Sequence, residues 1–80
     1  VLVVEFEVLR NSLVKILGVA PDEVTMQSSF SRDLGADSLD LYQVLLNARE
    51  VFDLEIDTEK LQSLETVSQA VAYMKEMKRK

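Results

Sequence analysis

The chain has 80 residues, 48% of them apolar and 29% charged, with a net charge of −5; this is one small domain with apolar material enough for a core. Cysteine and histidine are both absent, which excludes disulfides, thiolate or histidine metal sites and every Ser–His or Cys–His nucleophile, so a free-standing enzyme is not expected. No apolar run approaches the roughly 20 residues of a membrane span, and the acidic middle (eight acids against Arg49 alone between Asp33 and Glu59) argues against nucleic acid and for basic protein surfaces as partners.

Four segments carry helical periodicity and none sustains a strand alternation. The first helix is expected from about Val3 to Leu17, with Phe6, Leu9, Leu13, Ile16 and Leu17 on one face. Gly18 is its expected stop, with Pro21 just beyond. Residues 18–36 read as a long loop with one helical turn near Pro21–Val24, packed down by Val24, Met26, Phe30 and Leu34. The second helix is expected from about Ser38 to Phe52, and a short third near Thr58–Leu64 is capped by Asp57 or Thr58. The fourth starts at Thr66, where "TVSQ" fits a Thr-x-x-Gln capping box. Its buried stripe is Val67, Ala70, Val71, Met74 and Met77. The four bases from Lys75 to Lys80 complement the end of that helix's dipole. The fold class is therefore all-α, a small antiparallel four-helix bundle of three long helices and one short, with a long loop between the first and second.

The second helix has two apolar arcs. Leu41, Val44, Leu45, Ala48, Val51 and Phe52 fill an ordinary core face, while Leu39, Tyr42 and Leu46 form another, at roughly 40–100° from Ser38 on a helical wheel. Either the bundle wraps both arcs with Tyr42 snorkelling outward, or Leu39 and Leu46 form an exposed patch, rimmed by charge, that docks another protein.

At the head of that helix stands "DLGADSLD", residues 33–40. On residue chemistry alone, a Ser or Asp ahead of an apolar periodic run is an N-cap. Asp37 can supply the cap, which leaves Ser38 at the first helical position beside the positive end of the dipole, where an attached phosphate is favoured. The cap remains the stronger of the two readings of Ser38 at that level. An EF-hand starting at Asp33 fails: its third, sixth, ninth and twelfth positions are Gly35, Ser38, Leu41 and Val44. No metal site is expected. Gly35 belongs to no G-x-x-x-x-G-K-[ST] phosphate loop and reads as the turn from loop into helix.

The same stretch, followed by an amphipathic helix, resembles the phosphopantetheine attachment site of acyl carrier proteins. The resemblance covers most of the chain, through "LGVAPDEVTMQSSFSRDLGADSLD", "FDLEID" and "TVSQAVAYM". It implies that 1–80 is one carrier domain, non-catalytic and monomeric. A holo-acyl-carrier synthase would transfer 4′-phosphopantetheine from coenzyme A to Ser38, with magnesium. The arm's thiol would then carry growing acyl chains as thioesters in fatty-acid biosynthesis, which imports a thiol into a chain without cysteine. Asp37, Leu39, Asp40, Tyr42, Gln43, Leu46, Arg49 and Glu50 would dock acyl-chain synthesis enzymes with basic surfaces. The interior between the second and fourth helices, near Ala48, Ala70, Ala72 and Met74, would shelter the cargo. Gln43, Asn47, Arg49 and Val51 depart from the acidic second helix of housekeeping carriers. A carrier dedicated to polyketide, modified-lipid or aminoacyl pathways is the alternative, and a carrier-like interaction subunit of a larger complex is another. The cytosol is the expected compartment, an organelle stroma or matrix being equally compatible. The opening "VLVV" runs into acids and carries no basic stretch ahead of it, so no secretory signal is expected.

Overall fold

The computed structural model describes residues 4–77. Four α-helices follow in order: α1 (Val4–Leu17), α2 (Ser38–Arg49), α3 (Thr58–Leu61) and α4 (Val67–Met77), with a 3-10 turn at Pro21–Glu23. Among the described residues no strand forms; Ser29 and Thr66 make an isolated bridge, and the all-helical reading holds. The expected start of the first helix at Val3 and the bases beyond Met77 lie outside the described residues.

Burial follows the expected faces. Leu9 and Leu13 of α1 meet Leu41, Val44, Leu45 and Ala48 of α2, and Val67, Ala70, Val71 and Met74 of α4 close the core, all at 3% exposure or less. Phe6, Ile16, Leu17 and Met77 sit half-buried at its margin. Complete burial of each Leu, Val or Met of this core stabilises by about 1.5–3 kcal/mol. Helix α1 ends as expected: Gly18 takes a left-handed φ of 73° and its amide donates to the Val14 carbonyl at 3.0 Å.

The long loop behaves as a packed element. Val24, Phe30 and Leu34 are buried, with Met26 half-buried. Its backbone is tied to the start of α4: Phe30 N donates to Glu65 O at 2.9 Å, Val67 N to Ser28 O at 3.0 Å and Ser68 N to Met26 O at 3.0 Å. Buried Ser28 adds a knot, its hydroxyl donating to Glu23 O and accepting from Thr25 N, both at 2.9 Å. The Thr66 capping box forms, with Gln69 N on Thr66 Oγ1 and Thr66 N on Gln69 Oε1, each at 3.3 Å.

Two helix ends and two residues differ from expectation. Helix α2 stops at Arg49 rather than Phe52, because the amides of Glu50, Val51 and Phe52 fold back onto the Asn47 and Ala48 carbonyls in a turn. Val51 therefore leaves the wheel position that placed it in the core and is 62% exposed; Phe52 is half-buried against the core. Helix α3 stops at Leu61, short of Leu64, as Ser63 and Leu64 bond back to Lys60 and Leu61 in turns. Ala72 is exposed: it lies roughly 140° round the wheel from Val67, off the buried stripe.

Candidate functional site

Three aspartates surround Ser38, and each has a backbone task. The Asp33 carboxylate accepts from Ser29 N at 2.7 Å and closes the loop. Gly35 then turns the chain with φ 66°, a left-handed value that glycine adopts without the Cβ penalty. Ala36, buried, is fixed by its amide on the Phe30 carbonyl at 2.7 Å. Asp37 is the N-cap of α2, with extended backbone; its Oδ1 accepts from Asp40 N at 2.9 Å, and Asp40 Oδ2 accepts from Asp37 N at 3.4 Å. This reciprocal pair satisfies a first-turn amide that has no partner within the helix.

Because Asp37 caps, Ser38 is the first helical residue. Its side chain is exposed, and its hydroxyl makes no hydrogen bond among the described residues. The oxygen stands at the positive end of a helix of 12 residues, beside two carboxylates already held in place. Neighbouring Leu34, Ala36 and Leu41 are buried, so the backbone beneath the hydroxyl is anchored in the core while the hydroxyl faces water.

Two open grooves meet at Ser38, and α3 is the wall between them. One, of about 290 Å³, is lined by Phe30, Ala36, Leu41, Leu61 and Leu64, with Ser38 and Asp37 at its edge. The other, of about 310 Å³, is lined by Ser38, Leu39, Tyr42, Thr58, Leu61 and Gln62. Helix α3 is held by the buried Leu61 and by Tyr73 of α4. The Tyr73 hydroxyl accepts from Asp57 N at 2.6 Å and donates to Asp57 O at 3.3 Å. Asp57 in turn caps α3 through Glu59 N at 3.0 Å. Lys60 of α3 pairs with Glu76 of α4 at 2.6 Å, and Glu76 raises the Lys60 ammonium above its ordinary value. Tyr73 and the α3 wall escaped sequence reasoning. A tyrosine on the buried side of α4 was a visible signal, but its partner 16 residues upstream was not.

The second apolar arc of α2 divides. Leu39 is 65% exposed. Leu46 is half-buried, and Tyr42 packs partly against the core. Asp37, Gln43, Arg49 and Glu50 are exposed and Asp40 is half-buried. The residues expected to dock partners thus lie along the outer side of one helix that begins at Ser38. Ala48, Ala70 and Met74, expected to line a sheltering interior, are completely buried; the grooves that reach Ser38 lie between α2 and α3. No group of three or more acidic metal-ligating residues comes together among the described residues, and no helix there is long and apolar enough to cross a membrane.

Residues 7–74 match the family profile described as the phosphopantetheine attachment site. The chain is also 42% identical over 66 residues to a protein named acyl carrier protein from Bdellovibrio bacteriovorus; the similarity spans 82% of this chain and 85% of that one.

Proposed function

We infer the role of the site from one premise: the chain belongs to the phosphopantetheine attachment-site family. Acyl carrier proteins of this kind bear a covalent 4′-phosphopantetheine and deliver cargo to acyl-handling enzymes. The residues fit that group. A phosphodiester on Ser38 Oγ would meet a helix N-terminus, and two grooves are lined in part by the same residue. When bound, the arm supplies a thiol for thioester chemistry that no residue of the chain provides.

Ser38 is the attachment residue in this reading. Its Oγ forms a bond to the β-phosphorus of coenzyme A as the pyrophosphate bond breaks. Adenosine 3′,5′-bisphosphate leaves, and the hydroxyl proton goes to a base of the transferase. The observation that carries the assignment is an exposed serine on a capped helix start, its hydroxyl without a hydrogen-bond partner among the described residues. Residues 1–80 act as one monomeric carrier domain, in the cytosol or an organelle stroma or matrix, catalysing nothing and serving fatty-acid biosynthesis. Its partners are a holo-acyl-carrier synthase and acyl-chain enzymes with basic docking surfaces. Asp37, Leu39, Asp40, Tyr42, Gln43, Leu46, Arg49 and Glu50 contribute to the docking side.

Intact-mass measurement after incubation with coenzyme A, magnesium and a broad-specificity phosphopantetheinyl transferase tests this directly. The native chain should gain one arm, and Ser38→Ala should gain none. An unchanged native mass sinks the carrier reading; a gain that survives Ser38→Ala sinks the site. Elongation of the loaded chain by fatty-acid ketosynthases separates a housekeeping carrier from a dedicated one.

A further inference from the structure

The outer side of α2 carries acids at both ends and a single base, and that base defines its partner. Asp37 and Asp40 stand at the Ser38 end. Residues 41–48 then form eight consecutive uncharged positions. At the far end come Arg49 and Glu50, both exposed. Arg49 is the only base between residues 33 and 59, and it makes no ion pair among the described residues. On the wheel it falls about 20° from Tyr42 and 60° from Leu46, so its guanidinium flanks the same ridge that Leu39 and Leu46 present. Glu50 falls about 40° from Leu46 on the opposite flank, so a uniformly basic partner seated on that ridge is attracted at the Ser38 end and along the Glu50 flank, and repelled along the Arg49 flank of the far end.

We propose that α2 selects an acyl-handling enzyme whose docking surface is basic opposite Asp37 and Asp40 and carries a carboxylate opposite Arg49, about 14 Å beyond Asp40 along the helix. The selection rests on the carrier reading above. Arg49 is here a specificity residue: like charges brought together across an interface disfavour the wrong partner, and an opposed pair favours the right one. Arg49 also complements the C-terminal end of the α2 dipole. That structural role would alter stability without reversing partner preference.

The test uses a fatty-acid ketosynthase with a uniformly basic docking surface as the probe, bound to the unloaded full chain. Because the chain has no cysteine, Arg49→Cys places a unique crosslinker that finds the ketosynthase base nearest position 49. That base is changed to Glu in a second form of the enzyme. Arg49→Glu should tighten binding to the native ketosynthase by about tenfold and weaken binding to the Glu-bearing form by a similar factor, as charged interfacial pairs couple at this scale or above. The two effects should shrink together as salt rises. Affinities within twofold in all four combinations, or an Arg49→Glu effect of the same sign on both enzymes, overturn the inference. Loading at Ser38 is read separately by mass. Its failure counts against the carrier reading, while the four affinities still decide the role of Arg49.

Discussion

At Asp37 one carboxylate fixes the start of the helix that carries Ser38, so its removal has a measurable structural cost. Asp37→Ala deletes the bond to Asp40 N and should destabilise the fold by about 1 kcal/mol. For a domain of this size that lowers the melting temperature by roughly 4–8 °C, followed by circular dichroism at neutral pH. Asp37→Ser, which keeps an acceptor at the cap, should recover most of the loss; equal melting of Asp37→Ala and native chains would mean the cap contributes nothing. Gly35 gives a second check on the same loop. A Cβ there meets nothing within 4 Å, yet φ is +66°. Gly35→Ala should therefore cost about 1–2 kcal/mol through backbone strain alone, with no change in core packing by side-chain NMR.

Among the elements, α3 depends most on its neighbours. Four residues cannot hold a helix by themselves, and α3 owes its place to Leu61, the Asp57 cap and the Tyr73 hydroxyl. Tyr73→Phe removes both bonds to the Asp57 backbone and leaves its amide without that partner, a loss of about 1–3 kcal/mol. Amides 58–61 should exchange about tenfold faster or more, while α1 amides change only with global stability; uniform acceleration would argue against a local tether. The Lys60–Glu76 pair has a definite pH sign. Glu76 raises the Lys60 value above 10.5, so the contribution is fully present below 10.5 and disappears as pH climbs through the raised value. Lys60→Gln should lower stability by the same small amount throughout pH 7 to 9, adding no slope there, and flatten the alkaline loss above it. The helices themselves were legible because their apolar spacing is strong, and the Asp37 cap because Asp-Ser precedes a periodic run. The ends of α2 and α3 were not, since wheel positions keep counting after the backbone has turned; Val51 is the casualty. The tie between residues 26–30 and the head of α4 is made of backbone bonds, which side-chain patterns do not encode. The two grooves at Ser38 depend on where α3 sits, which is set by a tyrosine distant in sequence.

For the molecule as a whole, the dominant unbalanced quantity is charge. The net value is −5, and eight acids crowd residues 33–59 against one base. Asp37, Asp40, Glu50, Asp53, Asp57 and Glu59 make no ion pair among the described residues. Their mutual repulsion opposes compaction in a domain small enough for stability to be marginal. The same field would draw a basic partner toward the Ser38 end of α2, so relieving it by mutation would trade association rate for stability. Salt relieves it reversibly. Raising sodium chloride from about 10 mM to about 1 M shortens the screening length from roughly 30 Å to 3 Å and should raise the melting temperature by several degrees. Asp53→Asn, remote from Ser38 and outside the capping pairs, should raise the low-salt melting temperature and reduce the slope against salt. A melting temperature that falls or stays level with sodium chloride would show that acidic repulsion does not govern stability. A slope that Asp53→Asn leaves unchanged would place the repulsion elsewhere than in the acidic middle of the chain.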